Sequence, residues 1–165
     1  MPSLALQPSI FAQDFAQPTA SNTKPDFSSP CPPSSPSCPP GPSEEWSIAY
    51  HYAQAIDLGN GFVKISGQGG WNEKGEIASD PQKEVELTIK NIDDVLKAAG
   101  LRGWEDVYYV RSYHLDIDAT LPFVGEALKK RIPGHRPGCT ATGVTRLALP
   151  TMKLEIEVDA KKHTE

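Results

Sequence analysis

The residues whose types can move protons, hold charge or attack carbon fall into three places in this chain. Glu155 alternates with Leu154 and Ile156 and so shares a strand face with Lys153 and Glu157. That pattern suits a solvated strand face, or a carboxyl placed in a cleft as general acid or base. In "DVYYVRSYHLDI", from Asp106 to Ile117, Tyr109, Arg111 and Tyr113 fall on one face, and Tyr108, Ser112 and His114 on the other. Arg111 offers a positive charge for an anionic ligand, and His114 a proton near neutral pH; for each the plain alternative is hydrogen-bonded structure. Cys139 follows His135 and Arg136 closely. A nucleophilic thiol needs such a cation or histidine in contact; without one, Cys139 is a small apolar wall residue. His51, His114, His135 and His163 lack ligand spacing and cysteine partners, so no metal is expected, and no phosphate-binding loop or other cofactor motif is present.

A different signal lies in "ISGQGGWN", residues 65–72, where a strand is left through Gly67, Gln68, Gly69, Gly70 and Trp71. Glycines there imply a tight turn or the close approach of another group to the backbone. A glycine-rich β-bulge is the plain alternative.

These residues need a scaffold. At 165 residues the chain supports one folded unit with a real core. Its net charge of -5 argues against a general nucleic-acid binder, and Lys129-Lys130-Arg131 reads as a solvated helix end. Of 16 prolines, 11 precede Ser43, so residues 1–44 read as a flexible or extended tail, carrying a short "FAQDFAQ" echo, and residues 45–165 as the folded domain. Three cysteines make no disulfide framework, although Cys31 and Cys38 could pair within a loop. No apolar run is long enough to span a membrane, and the start lacks the basic flank of a secretory signal. Residues 1–45 hold none of the arginines of a mitochondrial presequence, which leaves the cytoplasm as the expected compartment without excluding the mitochondrion.

Within the domain, Tyr50 to Leu58 reads as a strand, Gly59-Asn60-Gly61 as a hairpin turn, and Phe62 to Gln68 as its partner. Asn72 to Gly75 is a second turn. Ser79 or Asp80 caps a helix with Pro81 at its first position. Val85, Ile89, Ile92, Leu96 and Ala99 form its apolar face, and Gly100 ends it. Asp106 to Ile117 is a long strand. Thr120 to Arg131 is a second helix packing Leu121, Val124 and Leu128 and stopped by Pro133. "CTATGVTRL" and "MKLEIEV" read as a closing pair of strands around Pro150. The order is ββαβαββ, an α+β fold.

With that order, "IDLGN" at 56–60, "ISGQ" at 65–68, "KNIDDVLKAAGL" at 90–101, "DVYYVRSY" at 106–113 and "MKLEIEVDA" at 152–160 together resemble the Rid family, also called YjgF or endoribonuclease L-PSP. The resemblance runs from about Trp46 to Ala160. It implies a chorismate-mutase-like sheet with two helices on one face, assembled as a homotrimer with ligand clefts between subunits. In well known members those clefts hydrolyse enamines or imines such as 2-aminoacrylate to a keto acid and ammonia. Carried over by motif, Tyr52 matches a first-strand tyrosine, Ser66 the serine of "SGQ", and Glu155 a last-strand glutamate that helps place water, so that these three are the expected catalytic set. Cys139 occupies the place of the arginine that grips the substrate carboxylate, and Arg136 lies three residues earlier. Cysteine cannot reproduce the paired charged hydrogen bonds of a guanidinium. "SGQGGW" and "HRPGCTATGV" resemble a fungal branch whose pocket serves another ligand, with Gly67, Gln68, Trp71, Arg111, His114, Arg136 and Cys139 as candidate binding residues.

The implied function is acid/base chemistry on an imine, enamine or related conjugated carbonyl compound, of deaminase or hydrolase type and suited to specialised metabolism. The alternatives are a non-catalytic ligand-binding or protein-protecting trimer and, third, an endoribonuclease. No cofactor or membrane partner is implied.

Overall fold

Two glycines flanking Asn60 reverse the chain between β1 (Ala55–Gly59) and β2 (Phe62–Gln68), which pair antiparallel. Asn60 and Gly61 take φ of 53° and 80°, the left-handed pair that a two-residue hairpin turn demands. The computed structural model containing them describes residues 41–163. Residues 1–40 of the expected 1–44 tail, with the "FAQDFAQ" echo and the Cys31 and Cys38 pair, lie outside the described residues, and residues 42–44 open a helix.

Helix α1 (Pro42–Ala49) is an element that the sequence reading missed. Pro42 at its first turn and Glu44 and Glu45 behind it favour a helix start. The strand expected from Tyr50 is accordingly shorter: His51 turns the chain at φ 56°, and Tyr52 lies in the segment before β1 rather than on it. Helix α2 (Pro81–Ala98) follows its sequence closely. The Asp80 carboxylate accepts from the Lys83 N–H at 2.8 Å, the apolar face is buried, and Gly100 leaves the helix at φ 79°. Helix α3 (Ile117–Arg131) begins three residues before the expected Thr120, because Asp116 caps it through the Ala119 N–H at 3.1 Å. That start sets its phase: Val124 is buried and Phe123, Ala127 and Leu128 pack on the core, whereas Leu121 does not join it.

Strands β3 (Val107–His114), β4 (Gly138–Gly143) and β5 (Leu154–Lys161) complete a five-stranded sheet in the order β1-β2-β5-β3-β4. The last two strands do not pair with each other, contrary to expectation. Crossing over through α3 returns β4 parallel to β3 at the edge, while β5 enters antiparallel between β2 and β3. Burial explains the choice: Leu154, Ile156, Val158 and Ala160 are all fully buried in β5, whereas β4 is a run of small residues suited to an edge.

Helices α2 and α3 cover one face, where Val63, Ile65, Val110 and Ile156 meet Val85, Ile92, Leu96 and Val124. The other face is polar. Arg111 donates to Asp159 at 2.8 Å and pairs with Glu157 at 3.4 Å, its guanidinium 4.8 Å over the Tyr109 ring. Tyr113 and Glu155 belong to the same face, one step along the ladder.

Candidate functional site

The start of β5 is held by a buried carboxylate. Glu84, fully buried on α2, accepts the Lys153 and Leu154 N–H groups on Oε1 at 2.6 and 3.2 Å and the Lys153 ammonium on Oε2 at 2.8 Å. Lys153 Nζ also donates to the Ala78 carbonyl at 3.0 Å. Glu155, two residues on, therefore leaves a fixed backbone. Gly70 makes this clamp possible, since a Cβ there would strike the backbone of Glu84.

The other two glycines of "SGQGGW" also make room for side chains of this same chain. A Cβ on Gly67 would occupy the place of the Glu155 carboxylate, which lies over the β2 backbone where the β2–β5 register slips between Ile65 and Gln68. A Cβ on Gly69 would come within 2.6 Å of Met152 and 2.9 Å of the Trp71 ring. Ser66 fastens the preceding segment to β2: its Oγ donates to the Ala53 carbonyl at 2.6 Å and its N–H to the Gln54 carbonyl at 2.9 Å.

These contacts enclose a cavity of about 420 Å³ lined by Tyr52, Ser66, Gly67, Trp71 and Glu155. The three expected catalytic residues thus meet in one hollow. The sequence reading missed the rest of the wall: Trp46 from α1, Tyr50 after it, and Leu149 and Met152 from the β4–β5 connection. Trp46 stands edge-on to Trp71 at 4.8 Å, and Trp71 Nε1 donates to the buried Ser43 Oγ at 3.0 Å, tying α1 to the cavity. Burial pushes the Glu155 carboxyl above the usual carboxylate range, and the charge of Glu157 adds to the shift. A proton-transfer group in an apolar hollow is the chemistry this arrangement supports.

The remaining candidates lie elsewhere. Gln68 is fully buried, its amide donating to the Ser66 carbonyl at 3.1 Å. Arg111 stands on the open sheet face, held by Asp159 and Glu157. Arg136 is exposed in the loop before β4. Cys139 pairs with the buried Val110 and so points to the helix side of the sheet, opposite to Glu155. Desolvation raises its thiol pKa, the reverse of what a nucleophile needs, and His135 bonds the Val107 carbonyl. His114 is fully buried on the helix side, with Thr120 Oγ1 at 2.7 Å from Nδ1 and Ser112 Oγ at 2.8 Å from Nε2. Strand alternation separates the two faces of β3 without saying which one the helices cover, so the side taken by His114 was not legible in the sequence.

Burial lowers the His114 pKa from its ordinary 6.5, so the folded state disfavours the imidazolium. Because the unfolded chain then binds more protons, this contribution to stability is present above pH 6.5 and is lost as pH falls through the depressed value. His114→Gln removes that acid-side loss, so the difference in urea midpoint between pH 7.5 and 5.0 is smaller than in the wild type.

Gly67→Ala tests the placement of Glu155. The new methyl meets only the end of a flexible side chain, so the fold loses about 1–3 kcal/mol. The carboxylate swings aside toward solvent and its pKa returns toward 4.5; urea unfolding and titration of the carboxyl separate the two effects.

A family model described as Endoribonuclease L-PSP matches residues 43–162. A RutC family protein of Aquifex aeolicus (strain VF5) is 35% identical over 114 residues, 67% of this chain and 88% of that protein. The protein mmf2, mitochondrial, of Schizosaccharomyces pombe is 28% identical over 117 residues, 71% of this chain and 90% of that one. Among solved structures, E. coli TdcF with bound serine superposes with a TM-score of 0.61 at 30% identity, covering 68% of this chain and 88% of TdcF.

Proposed function

Because this chain belongs to the Endoribonuclease L-PSP family, also called Rid or YjgF, we propose that the cavity around Glu155 hydrolyses a polarised C=N bond by acid/base catalysis. The observation that carries this reading is a carboxyl of raised pKa in a largely apolar hollow. The Glu155 carboxylate takes a proton from water as its oxygen bonds to the iminium carbon. The resulting acid returns that proton to the nitrogen; as the C–N bond breaks, the carboxylate takes the hydroxyl proton and passes it to the departing amine, so that a carbonyl compound and ammonium leave. An enamine enters the same route once its carbon is protonated. Tyr52 orients a polar group of the ligand at the cavity mouth, and Ser66 holds the wall through the Ala53 carbonyl.

The same reading takes the protein as a homotrimer whose neighbours complete the clefts, acting on a small molecule without a cofactor. It places the protein in the cytoplasm or, as the name of the S. pombe relative suggests, the mitochondrion. Among the described residues no helix is long and apolar enough to cross a membrane. RNA cleavage is disfavoured by the net charge of -5 and by a cavity whose ionisable lining is a carboxyl and two tyrosines.

The experiment is ammonia release from imines generated in situ, with 2-aminoacrylate and an aldimine as the two substrates and a single-stranded RNA as the competing one. Acceleration over buffer for either imine supports hydrolysis. Saturable binding without acceleration makes the protein a non-catalytic binder, and RNA cleavage alone would replace the reading.

A further inference from the structure

An acid/base pocket for C=N bonds still has to choose among them, and the walls of this one differ from what a small imino acid requires. Its lining holds Trp46, Tyr50, Tyr52, Trp71, Leu149 and Met152 and, among the described residues, no lysine, arginine or histidine. Resting on the acid/base reading, we propose that the wall contributed by α1 makes the pocket selective for imines and enamines that carry an aromatic or branched apolar group and no carboxylate.

Three observations support this. The first is charge. A ligand carboxylate in the cavity would lie desolvated beside Glu155, with Glu157 on the same strand face, and would find no cation in the lining. Among the described residues, His51 and Arg146 stand outside the lining, and the cations of the strands beside it are engaged or distant. Lys153 is held by Glu84, Arg111 by Asp159 and Glu157, and Arg136 stands exposed ahead of the edge strand. The second is size. A cavity of about 420 Å³ falls within the roughly 300–1,000 Å³ of pockets that enclose drug-sized ligands, well beyond a three-carbon enamine. The third is preorganisation. The Trp71–Ser43 hydrogen bond and the Trp46–Trp71 edge contact fix α1, and Gly75 lies under Trp46, where a Cβ would come within 3.3 Å of the ring. Aromatic faces held in this way accept a flat apolar group and tolerate the partial positive charge of an iminium.

Two stable C=N isosteres test the selectivity without turnover: phenylacetaldoxime, which is neutral, and the oxime of phenylpyruvate, which adds only a carboxylate. Quenching of tryptophan fluorescence in the full chain reads both affinities. The neutral oxime binds at least about tenfold tighter; equal or tighter binding of the carboxylate oxime overturns the proposal, including the case in which a second copy of the chain brings a cation into the cleft. Trp46→Ala weakens phenylacetaldoxime about tenfold and leaves acetaldoxime unchanged. Because loss of Trp46 can also loosen α1, Tyr50→Ala, at a residue 74% exposed, serves as the second variant and weakens the phenyl ligand in the same direction. No change in either variant overturns the role of α1. Absence of ammonia release with the expected oxime selectivity sinks the acid/base reading alone, whereas release with no preference between oximes sinks this proposal alone.

Discussion

Glu155→Gln lowers the rate of ammonia release by about 10²–10⁴-fold, the usual contribution of a positioned acid/base group, and leaves the fold intact. Glutamine keeps the shape over Gly67 but cannot carry a proton from water to nitrogen. The same variant has a second signature. In the folded protein burial and Glu157 raise the Glu155 pKa from its ordinary 4.5, so the native state holds this proton more tightly than the unfolded chain does. The stabilising contribution is complete below pH 4.5 and is lost as pH rises through the raised value. Glu155→Gln has no such loss, so its urea midpoint gains on that of the wild type above that ionisation. Lower activity joined to higher stability at neutral pH separates a catalytic carboxyl from one that merely supports the sheet, since loss of a supporting carboxyl would lower both.

Glu84→Gln has the largest expected effect on stability. It leaves the Lys153 ammonium without its partner and turns an amide N–H₂ toward groups that are themselves donors. Breaking a buried pair costs about 3–5 kcal/mol, and because Lys153 keeps 31% of its side chain exposed, the lower end applies, about 3 kcal/mol by urea unfolding. Lys153→Met is milder, since the carboxylate keeps two backbone N–H bonds. Activity falls in Glu84→Gln as well, because the backbone that aims Glu155 over Gly67 loses its anchor.

What the sequence made legible is what local chemistry decides. Asp80, Pro81 and Gly100 bound α2 whatever surrounds it, and Asn60-Gly61 closes its hairpin through backbone angles alone. The convergence of Tyr52, Ser66 and Glu155 was legible only through resemblance. What it concealed depends on distant partners. Glu84 lies on the buried side of an otherwise regular helix, and its ligands are 69 and 70 residues away. Helix α1 is too short and too weakly periodic to announce itself, so Trp46 and Tyr50 gave no sign of sharing a wall with Met152. Three glycines signalled close approach correctly, yet the approaching groups were Glu155, Met152, Trp71 and Glu84 of the same chain.

Proton transfer by Glu155 is the step on which the proposed hydrolysis depends, and the pH dependence of ammonia release from an enzymatically generated aldimine tests it most directly. The wild-type rate rises with pH through a single ionisation lying above the ordinary glutamate value of 4.5, and Glu155→Gln shows no such limb. Equal rates for variant and wild type across the pH range would contradict it.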